Sequence, residues 1–309
     1  MALLVNSENH DDEEWARRLR EQDPEIEVRI WPDLGKPEEI DMVLVGQVPD
    51  GLFAQLPNLK AIMKLGAGVN NILDDPHRPE GVPLARLVDP LLVVEMAQWA
   101  IYALFHFHRR MPEYTALRER REWVNLGATD PEDTRVGIMG MGAIGGDVAR
   151  KIAHLGFPVS GWSRTAKRID GVRCYHGWDQ LDDFLAGSDF MLSVLPMTPE
   201  TEGIIDKDRI ARLPRGAVVA NMGRGGQQVE ADILAALDSG HLSGAALDVF
   251  QQEPLHQDSP FWTHPKVLMT PHVAGFARPK TAAAQVAENY RRARAGEPLL
   301  NAVDFDRGY

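Results

Sequence analysis

The sequence predicts an α/β protein with two doubly wound parallel-sheet domains, and three observations support this. Short apolar runs alternate with helical patterns over the first hundred residues, as parallel βα units require. The alternation starts afresh near Thr134, which predicts a second sheet. The chain has 309 residues, and a single hydrophobic core stops growing near roughly 250–300 residues. Two domains are therefore expected.

The first domain is predicted from four apolar runs and one helix. The helix lies near Asp11–Gln22, because the acidic residues at its start suit the positive end of a helix dipole. The four runs, each predicted to be a strand, are Leu3–Val5, Val28–Ile30, Met42–Val45 and Ala61–Met63.

A glycine-rich turn, Leu65-Gly66-Ala67-Gly68-Val69-Asn70, follows the fourth run. Such a turn at the carboxyl end of a strand exposes backbone N–H groups. It is therefore a candidate site for a carboxylate.

Residues 91–122 have a long helical pattern, and Pro112 is expected to break it into two helices. Its most apolar part, Leu91–Phe107, is interrupted by Glu95 and two other polar residues. It falls short of the roughly 20 apolar residues that a membrane span needs. We therefore predict a buried helix.

The second alternating segment opens with a dinucleotide-binding pattern. The apolar run Arg135–Met139 leads directly into Gly140-Met141-Gly142-Ala143-Ile144-Gly145, and a helical stretch follows over 147–155. Glycines permit the tight turn and the close approach of backbone to a pyrophosphate, which the helix N-terminus then faces. The strand before and the helix after favour cofactor binding over a structural turn.

The next strand, 158–162, ends at Ser163-Arg164-Thr165, where an NAD enzyme would present an acid to the ribose 2′-hydroxyl. No acid stands there. Ser163, Arg164, Thr165 and Lys167 can instead bind and neutralise a 2′-phosphate. The pattern favours NADP(H), with NAD(H) possible; the alternative is that Arg164 and Lys167 are solvated surface charges.

Four further apolar runs, each ending in a polar turn, place Arg224, Glu253 and His272 at the carboxyl ends of strands. In an open parallel sheet these ends lie at one edge, where ligands bind. A fixed cation, a proton donor and a carboxylate that tunes the donor are what reduction of a keto acid requires. The runs are 190–194, 217–220, 245–247 and 266–269.

With these motifs the sequence resembles the D-2-hydroxyacid dehydrogenase family, and within it the A-type glyoxylate/hydroxypyruvate reductases. The resemblance rests on five motifs in order along the chain. They are 140–145, Leu195-Pro196-Met197-Thr198-Pro199-Glu200-Thr201, Asn221-Met222-Gly223-Arg224-Gly225, Leu247-Asp248-Val249-Phe250 through Glu253-Pro254, and Thr270-Pro271-His272-Val273-Ala274-Gly275.

The resemblance implies NADPH-dependent reduction of glyoxylate, hydroxypyruvate or similar 2-keto acids to D-2-hydroxy acids. It implies that Arg224 holds the carboxylate and carbonyl oxygen, that His272 is the acid/base, and that Glu253 pairs with it. It also implies a Rossmann cofactor domain (98–276) inserted into a flavodoxin-like substrate domain (1–97 and 277–309). The helices of 91–122 would form a homodimerisation arm within the cofactor domain.

Two sets of binding residues follow from the motifs and the resemblance. The substrate set is Gly66, Ala67, Gly68, Val69, Arg224 and His272. The cofactor set is Gly140, Gly142, Ala143, Ile144, Gly145, Ser163, Arg164, Thr165, Lys167, Leu195, Pro196, Thr198, Met222, Gly223, Arg224, Asp248, His272, Ala274 and Gly275.

Composition narrows the class of partner. A formal net charge of −12 disfavours nucleic acid. The single cysteine, Cys174, favours the cytoplasm and excludes a cysteine-based zinc site, and no metal is expected.

Gly46 lacks the bulky or basic side chain that the family tends to carry nearby, so the identity of the keto acid is left open. The alternatives are a dinucleotide-sensing corepressor-like module without catalysis, and an NAD enzyme like phosphoglycerate dehydrogenase.

Overall fold

The computed structural model describes residues 2–7, 11–66 and 68–305. Its backbone forms two compact units, Met1–Leu92 with Phe276–Tyr309, and Val93–Gly275. We call them unit 1 and unit 2. The predicted boundaries lie at 97/98 and 276/277. The predicted boundary at 97/98 and the observed one at 92/93 both fall inside one continuous helix, Pro90–His108, where no loop marks a division.

Twelve strands make up the two sheets of the described residues. Those of unit 1 are β1 (Ala2–Asn6), β2 (Glu27–Ile30), β3 (Ile40–Val45), β4 (Ala61–Lys64) and β5 (Leu84–Arg86). Those of unit 2 are β6 (Val136–Met139), β7 (Val159–Ser163), β8 (Val172–His176), β9 (Phe190–Ser193), β10 (Ala217–Asn221), β11 (Leu242–Leu247) and β12 (Val267–Met269).

The described residues contain nine α-helices. They are α1 (Asp12–Gln22), α2 (Asn70–Leu73), α3 (Pro90–His108), α4 (Met111–Arg120), α5 (Ala143–His154), α6 (Leu181–Ala186), α7 (Lys207–Ile210), α8 (Glu230–Asp238) and α9 (Pro279–Ala295).

Unit 1 is built on a parallel five-stranded sheet in the order β2-β1-β3-β4-β5. This is the flavodoxin-like order. β1 and β3 are buried along their whole length, and α9 packs against α1, β3 and β4. The side chain of Asp11 caps α1 by accepting a hydrogen bond from Glu14 N at 3.0 Å. The short strand β5, which has only three residues, was not predicted.

Unit 2 is built on a parallel seven-stranded sheet in the order β12-β11-β10-β9-β6-β7-β8. Counted from β6, this is the Rossmann order with one further strand. The predicted fold class, two doubly wound parallel sheets, is therefore confirmed. β8 was not predicted, because this edge strand is only half-buried and its sequence, Val-Arg-Cys-Tyr-His, has no apolar run.

The predicted helical segment 91–122 divides at Arg109 and Arg110 and not at Pro112. Arg110 adopts a left-handed conformation, with φ 57°, between α3 and α4. Pro112 lies in the first turn of α4, where a proline is tolerated because that N–H has no helical partner. The prediction of two helices is confirmed, and the expected position of the break was wrong.

Helix α3 is long and apolar enough, by length and composition, to cross a membrane. The core helix of a water-soluble protein meets the same test. One side of α3 is buried in unit 2, at Ala97, Ala100, Ala103 and Leu104. Val94 and Tyr102 on the same helix are exposed.

Asp41 in β3 is an acid whose burial disfavours its ionised form. Only 3% of the residue is exposed, and its carboxylate interacts with the Tyr290 hydroxyl. Burial raises the pKa of Asp41, against the charges of Lys60 and Arg294. Burial likewise raises the pKa of Tyr290, beside it, to about 12.

Replacing Asp41 by asparagine is expected to stabilise the protein at pH 7. A carboxyl whose pKa rises on folding stabilises only while protonated, and that contribution is lost as the pH rises above 3.8, its ordinary value, through the folded pKa. Asp41→Asn should therefore raise the free energy of unfolding by about 0.5–2 kcal/mol at pH 7. Thermal unfolding from pH 4 to 7 measures this. Asp50→Asn, at an exposed position, is the control, and a gain in Tm that is independent of pH would contradict the account.

Candidate active site

Most of the predicted site residues lie at one edge of the unit 2 sheet. Because β12, β11, β10, β9, β6 and β7 are parallel neighbours, the turns after them lie side by side. These turns carry, strand by strand, residues 272–275, 248–253, 222–224, 195–198, 140–145 and 163–167. The structure therefore brings together the predicted cofactor residues and the three predicted catalytic residues.

The glycine-rich turn after β6 needs glycine at two positions for different reasons. Gly140 has φ 105°, and a Cβ there would lie 2.8 Å from the carbonyl oxygen of Val194. A Cβ at Gly145 would overlap the carbonyl oxygen of Gly140. By contrast, Gly142 is exposed and has open space around it, directly before α5. The turn is tightly packed, and the N-terminus of α5 remains accessible to an anion.

Helix α5 begins at Ala143, four residues before the predicted start. Gly142 is its N-cap residue. The backbone N–H groups of the first helical turn have no partner within the helix. The turn and the helix end therefore fit the pyrophosphate of a dinucleotide.

The loop after β7 presents polar and basic groups where an acid is absent. Ser163 is buried and its hydroxyl donates to the carbonyl oxygen of Thr165 at 2.9 Å. Arg164, Thr165 and Lys167 are exposed. The start of the loop is held by Trp162, whose indole N–H donates to Gly177 O at 2.7 Å. This edge therefore presents cations and hydroxyls to a ligand.

One acid approaches this loop from the turn after β9. The hydrogen bond from the Thr198 side chain lowers the pKa of Glu200, and the charge of Arg164 contributes in the same direction. Thr198 itself is buried and its backbone N–H donates to Thr201 Oγ1 at 2.8 Å.

Three side chains form the candidate catalytic cluster. His272 Nδ1 lies 2.7 Å from Glu253 Oε2, and Glu253 Oε1 accepts from Phe250 N at 3.0 Å. The Arg224 guanidinium donates to Gly223 O at 2.7 Å and acts electrostatically on Glu253. A proton-carrying ring, its carboxylate partner and a fixed cation are thus neighbours.

The charges of this cluster support one another. Burial opposes ionisation of Glu253, but the hydrogen bonds from His272 and Phe250 and the charges of His272 and Arg224 outweigh burial and lower its pKa. Burial also lowers the pKa of Arg224, although a guanidinium stays charged in proteins. Glu253 is therefore an anion at neutral pH, and it accepts a hydrogen bond from a protonated nitrogen of His272.

A buried carboxylate, Asp248, holds the turn that carries His272. His272 has φ 55°, a left-handed conformation uncommon outside glycine, and its N–H donates to the backbone oxygen of Asp248 at 2.7 Å. The Asp248 carboxylate accepts three further hydrogen bonds, from the Thr270 hydroxyl at 2.6 Å and from Val273 N and Ala274 N at 2.8 and 2.9 Å. Every one of these donors flanks His272.

Helix α3 extends this arrangement. The indole N–H of Trp99 donates to Thr270 Oγ1 at 2.9 Å, so the hydroxyl proton of Thr270 is left for Asp248. Two residues 171 positions apart in sequence thus meet beside the turn of His272.

The predicted carboxylate loop belongs to unit 1. Gly66 follows β4 in a left-handed conformation, with φ 87°, and Val69 is buried. Ala67 lies outside the described residues. Close by, the Gly46 carbonyl oxygen accepts from Lys64 Nζ and from Asn71 Nδ2, so a cation occupies the edge at which Gly46 offers no side chain.

Three amides in unit 2 were not singled out from the sequence as site residues. Asn221, Gln227 and Gln228 are all fully buried beside Arg224. In the sequence Asn-Met-Gly-Arg-Gly-Gly-Gln-Gln (221–228) they are indistinguishable from the polar residues of an exposed loop. Only their hydrogen bonds, described below, distinguish them.

A parallel sheet of this order, with a tight glycine turn and an accessible helix N-terminus after its central strand, defines a dinucleotide-binding protein. The family model of the D-isomer specific 2-hydroxyacid dehydrogenase NAD binding domain matches residues 101–274. The chain belongs to this family, as the sequence motifs indicated.

Relatives cover the whole chain. Glyoxylate/hydroxypyruvate reductase A of Photorhabdus laumondii is 39% identical over 100% of both chains. The crystal structure of a D-isomer specific 2-hydroxyacid dehydrogenase from Xanthobacter autotrophicus, in complex with NADPH and MES, is 42% identical, covers 100% of this chain and 99% of its own, and has a TM-score of 0.95. An NADPH-dependent glyoxylate/hydroxypyruvate reductase from Sinorhizobium meliloti, in complex with NADP and sulfate, is 39% identical over 100% of both chains, with a TM-score of 0.93.

Alanine at Gly145 is expected to destabilise unit 2, whereas alanine at Gly142 is tolerated. The Cβ of Gly145→Ala meets backbone, which cannot rotate away, and overpacking of this kind costs about 1–3 kcal/mol. Gly142→Ala meets nothing within 4 Å and loses only a favourable N-cap residue, at less than about 1 kcal/mol. Urea unfolding of the two variants compares these losses. Equal losses would show that the turn is not packed as described.

Proposed function

We propose that this chain uses NADPH to reduce small 2-keto acids to D-2-hydroxy acids, with His272 as the general acid. The observation that carries the proposal is the 2.7 Å contact between His272 Nδ1 and Glu253 Oε2, with Arg224 beside it. This cluster lies at the same sheet edge as the glycine-rich turn. Two of the relatives named above, which are glyoxylate/hydroxypyruvate reductases, support it.

The pairing with Glu253 supports a separate role for each nitrogen of His272. An ionised carboxylate only accepts hydrogen bonds. Nδ1 therefore carries a proton and donates a hydrogen bond to Glu253. Nε2 is then the atom that gives its proton to the keto oxygen as the carbonyl is reduced. In the oxidative direction the neutral ring accepts the hydroxyl proton at the same atom.

Arg224 is proposed to bind the substrate acid. A guanidinium presents a rigid fork of donors that matches a carboxylate, and it also stabilises the negative charge that develops on the carbonyl oxygen. When bound, NADPH supplies the hydride that reduces the carbonyl carbon. The turn of Gly66, Gly68 and Val69, together with Ala67, is proposed to bind a substrate carboxylate through backbone N–H groups.

The cofactor preference rests on the end of β7. Ser163 ends the strand where an NAD enzyme has an acid, and Arg164, Thr165 and Lys167 are exposed after it. Two similar proteins have been crystallised with NADPH or NADP. The remaining residues of the predicted cofactor set, at the turns after β6, β9, β10, β11 and β12, are proposed to bind the rest of the dinucleotide.

Substrate choice follows the relatives in class, as glyoxylate or hydroxypyruvate. Gly46 has no side chain and lies beside Lys64, where the family tends to carry a bulky or basic group. The preferred keto acid is therefore to be ranked by measurement. A non-catalytic dinucleotide sensor predicts cofactor binding without turnover. An enzyme like phosphoglycerate dehydrogenase predicts NADH in place of NADPH.

We further propose a cytoplasmic homodimer that pairs through the segment of α3 and α4. Apolar side chains on these helices and just after α4 are exposed in the single chain. They are Val94, Tyr102, Met111, Trp123 and Val124. Trp123 is fully exposed in the single chain. A second copy would bury this face, which also accounts for the apolar composition of α3 without a membrane.

Removing the imidazole should nearly abolish reduction of glyoxylate. Asparagine is the sharpest replacement, because it tolerates the left-handed backbone of residue 272. His272→Asn should lower kcat by about 10²- to 10⁴-fold, the usual contribution of a general acid, with a much smaller change in NADPH affinity. Steady-state rates and fluorescence titration of NADPH measure the two effects. His256→Asn, at a side chain 69% exposed, is the control; near-normal turnover of His272→Asn would rule out the acid role.

Arg164→Ala should weaken NADPH and spare NADH. Losing a charged hydrogen bond to the 2′-phosphate costs about 1.5–3 kcal/mol, which corresponds to roughly 10- to 100-fold in the KM for NADPH. The KM for NADH should stay near that of the wild type. Arg150→Ala removes the same charge from an exposed position of α5 and serves as the control. Equal changes for both cofactors would show that the phosphate is bound elsewhere.

A further inference from the structure

Three buried amides surround the backbone of Arg224, and we refer to Asn221, Gln227 and Gln228 as the amide frame. All three are 0% exposed. Burying an amide is unfavourable unless its hydrogen bonds are made. The frame therefore persists only because its bonds are satisfied, and two of those bonds hold the backbone of Arg224.

The backbone of Arg224 is held on both sides by this frame. Its N–H donates to Gln227 Oε1 at 3.2 Å, and its carbonyl oxygen accepts from Asn221 Nδ2 at 3.1 Å. The first bond caps the short 3-10 helix Gly225–Gln227, whose backbone bond from Gln227 N to Arg224 O is 3.1 Å long. Two side-chain bonds and one backbone bond therefore fix the position of the Arg224 backbone.

Gln227 also reaches the neighbouring turn. Its Nε2 donates to the carbonyl oxygens of Leu195 and Pro196, at 2.8 and 3.0 Å. Its Oε1 accepts a second bond, from the Ser193 hydroxyl at 3.3 Å. Both donors and both acceptor positions of the amide are occupied, so the amide has one orientation and cannot flip without losing all four bonds.

Gln228 performs the corresponding task on the other side. Its Oε1 accepts from Asn221 Nδ2 at 2.9 Å, and its Nε2 donates to Val249 O at 2.9 Å. Val249 precedes the segment that carries Glu253. The frame therefore links the turns after β9, β10 and β11.

We propose that Gln227 is a positioning residue that fixes Arg224 for the 2-keto acid. The inference rests on the proposed function and deepens it. Gln227 joins the carbonyl oxygens of Leu195 and Pro196 to the N–H of Arg224, so the guanidinium starts from a backbone of fixed position. Misplacing a binding group by about 1 Å can cost about 10²-fold in rate, and the frame prevents such a shift.

Gln227→Met tests the role of the hydrogen bonds, because methionine has nearly the shape of glutamine and none of its polar atoms. We expect kcat/KM for glyoxylate to fall about 10- to 100-fold. The affinity for oxamate, a carboxylate next to an amide carbonyl that is not reduced, should fall with it in the presence of NADPH. NADPH affinity, measured by fluorescence titration, should fall less than oxamate affinity, although Gln227 also bonds to Leu195 and Pro196 of the predicted cofactor set.

Gln227→Glu gives a readout that a purely structural role would not move. The introduced carboxyl keeps an acceptor for Arg224 N but turns its second oxygen towards two carbonyl oxygens. Protonated, it donates to one of them; ionised, it repels both. We expect kcat/KM to approach the wild-type value at low pH and to fall, relative to the wild type, as the pH rises.

Asn289→Leu is the matched control for loss of a buried amide. Asn289 is 0% exposed in unit 1 and bonds to Leu300 through both ends of its amide. We expect it to lower Tm while leaving kcat/KM near that of the wild type.

The outcomes separate the two proposals. If the wild type reduces no 2-keto acid with NADPH, the proposed function fails. If the wild type is active and folded Gln227→Met keeps its full kcat/KM, the positioning role of Gln227 is overturned. Three other results would also overturn it. They are equal losses of NADPH and oxamate affinity in Gln227→Met, a ratio of Gln227→Glu to wild-type kcat/KM that does not change with pH, and a matching loss of kcat/KM in Asn289→Leu.

Discussion

Parallel pairing of the seven strands in unit 2 is the constraint on which the candidate site depends. Because every strand runs the same way, all the turns that follow them lie at one edge. A turn has backbone N–H and C=O groups that no neighbouring strand satisfies, and burying them without partners is unfavourable. At this edge buried side chains supply the partners, and the same side chains position Arg224 and His272.

Asp248 illustrates how this solution differs from an ion pair. Its carboxylate is 1% exposed and is stabilised by hydrogen bonds from Thr270, Val273 and Ala274. Donors fixed by the backbone keep their geometry, whereas exposed pairs such as Arg17 with Glu14 contribute little because water and salt screen them. The turn that carries His272 can therefore hold its left-handed conformation without a flexible partner.

Close packing and access are divided between neighbouring glycines. Gly140 and Gly145 have no room for a side chain, while Gly142 between them faces open space. The first two fix the turn against β9 and α5, and the third leaves the helix end open to an anion. Rigid support behind an accessible surface is what a binding turn needs, since a ligand then meets groups that are already in place.

Features local in sequence were accessible without a structure. The apolar runs gave ten of the twelve strands because buried parallel strands are continuously apolar, and the Gly140–Gly145 pattern gave the dinucleotide turn. Edge strand β8 and the short β5 lacked that signal. The break between α3 and α4 was misplaced because the left-handed Arg110, and not Pro112, ends the helix.

By itself, therefore, the sequence determined the α/β class, the family, and the identity of Arg224, Glu253 and His272 as candidates, since residue type and strand order carry that information. Tertiary structure decided how these residues are held. Gln227 meets Leu195 from 32 positions away, and Trp99 meets Thr270 from 171. Hydrogen bonds between such distant residues depend on where the chain returns in space, and no local pattern of apolar and polar residues records that.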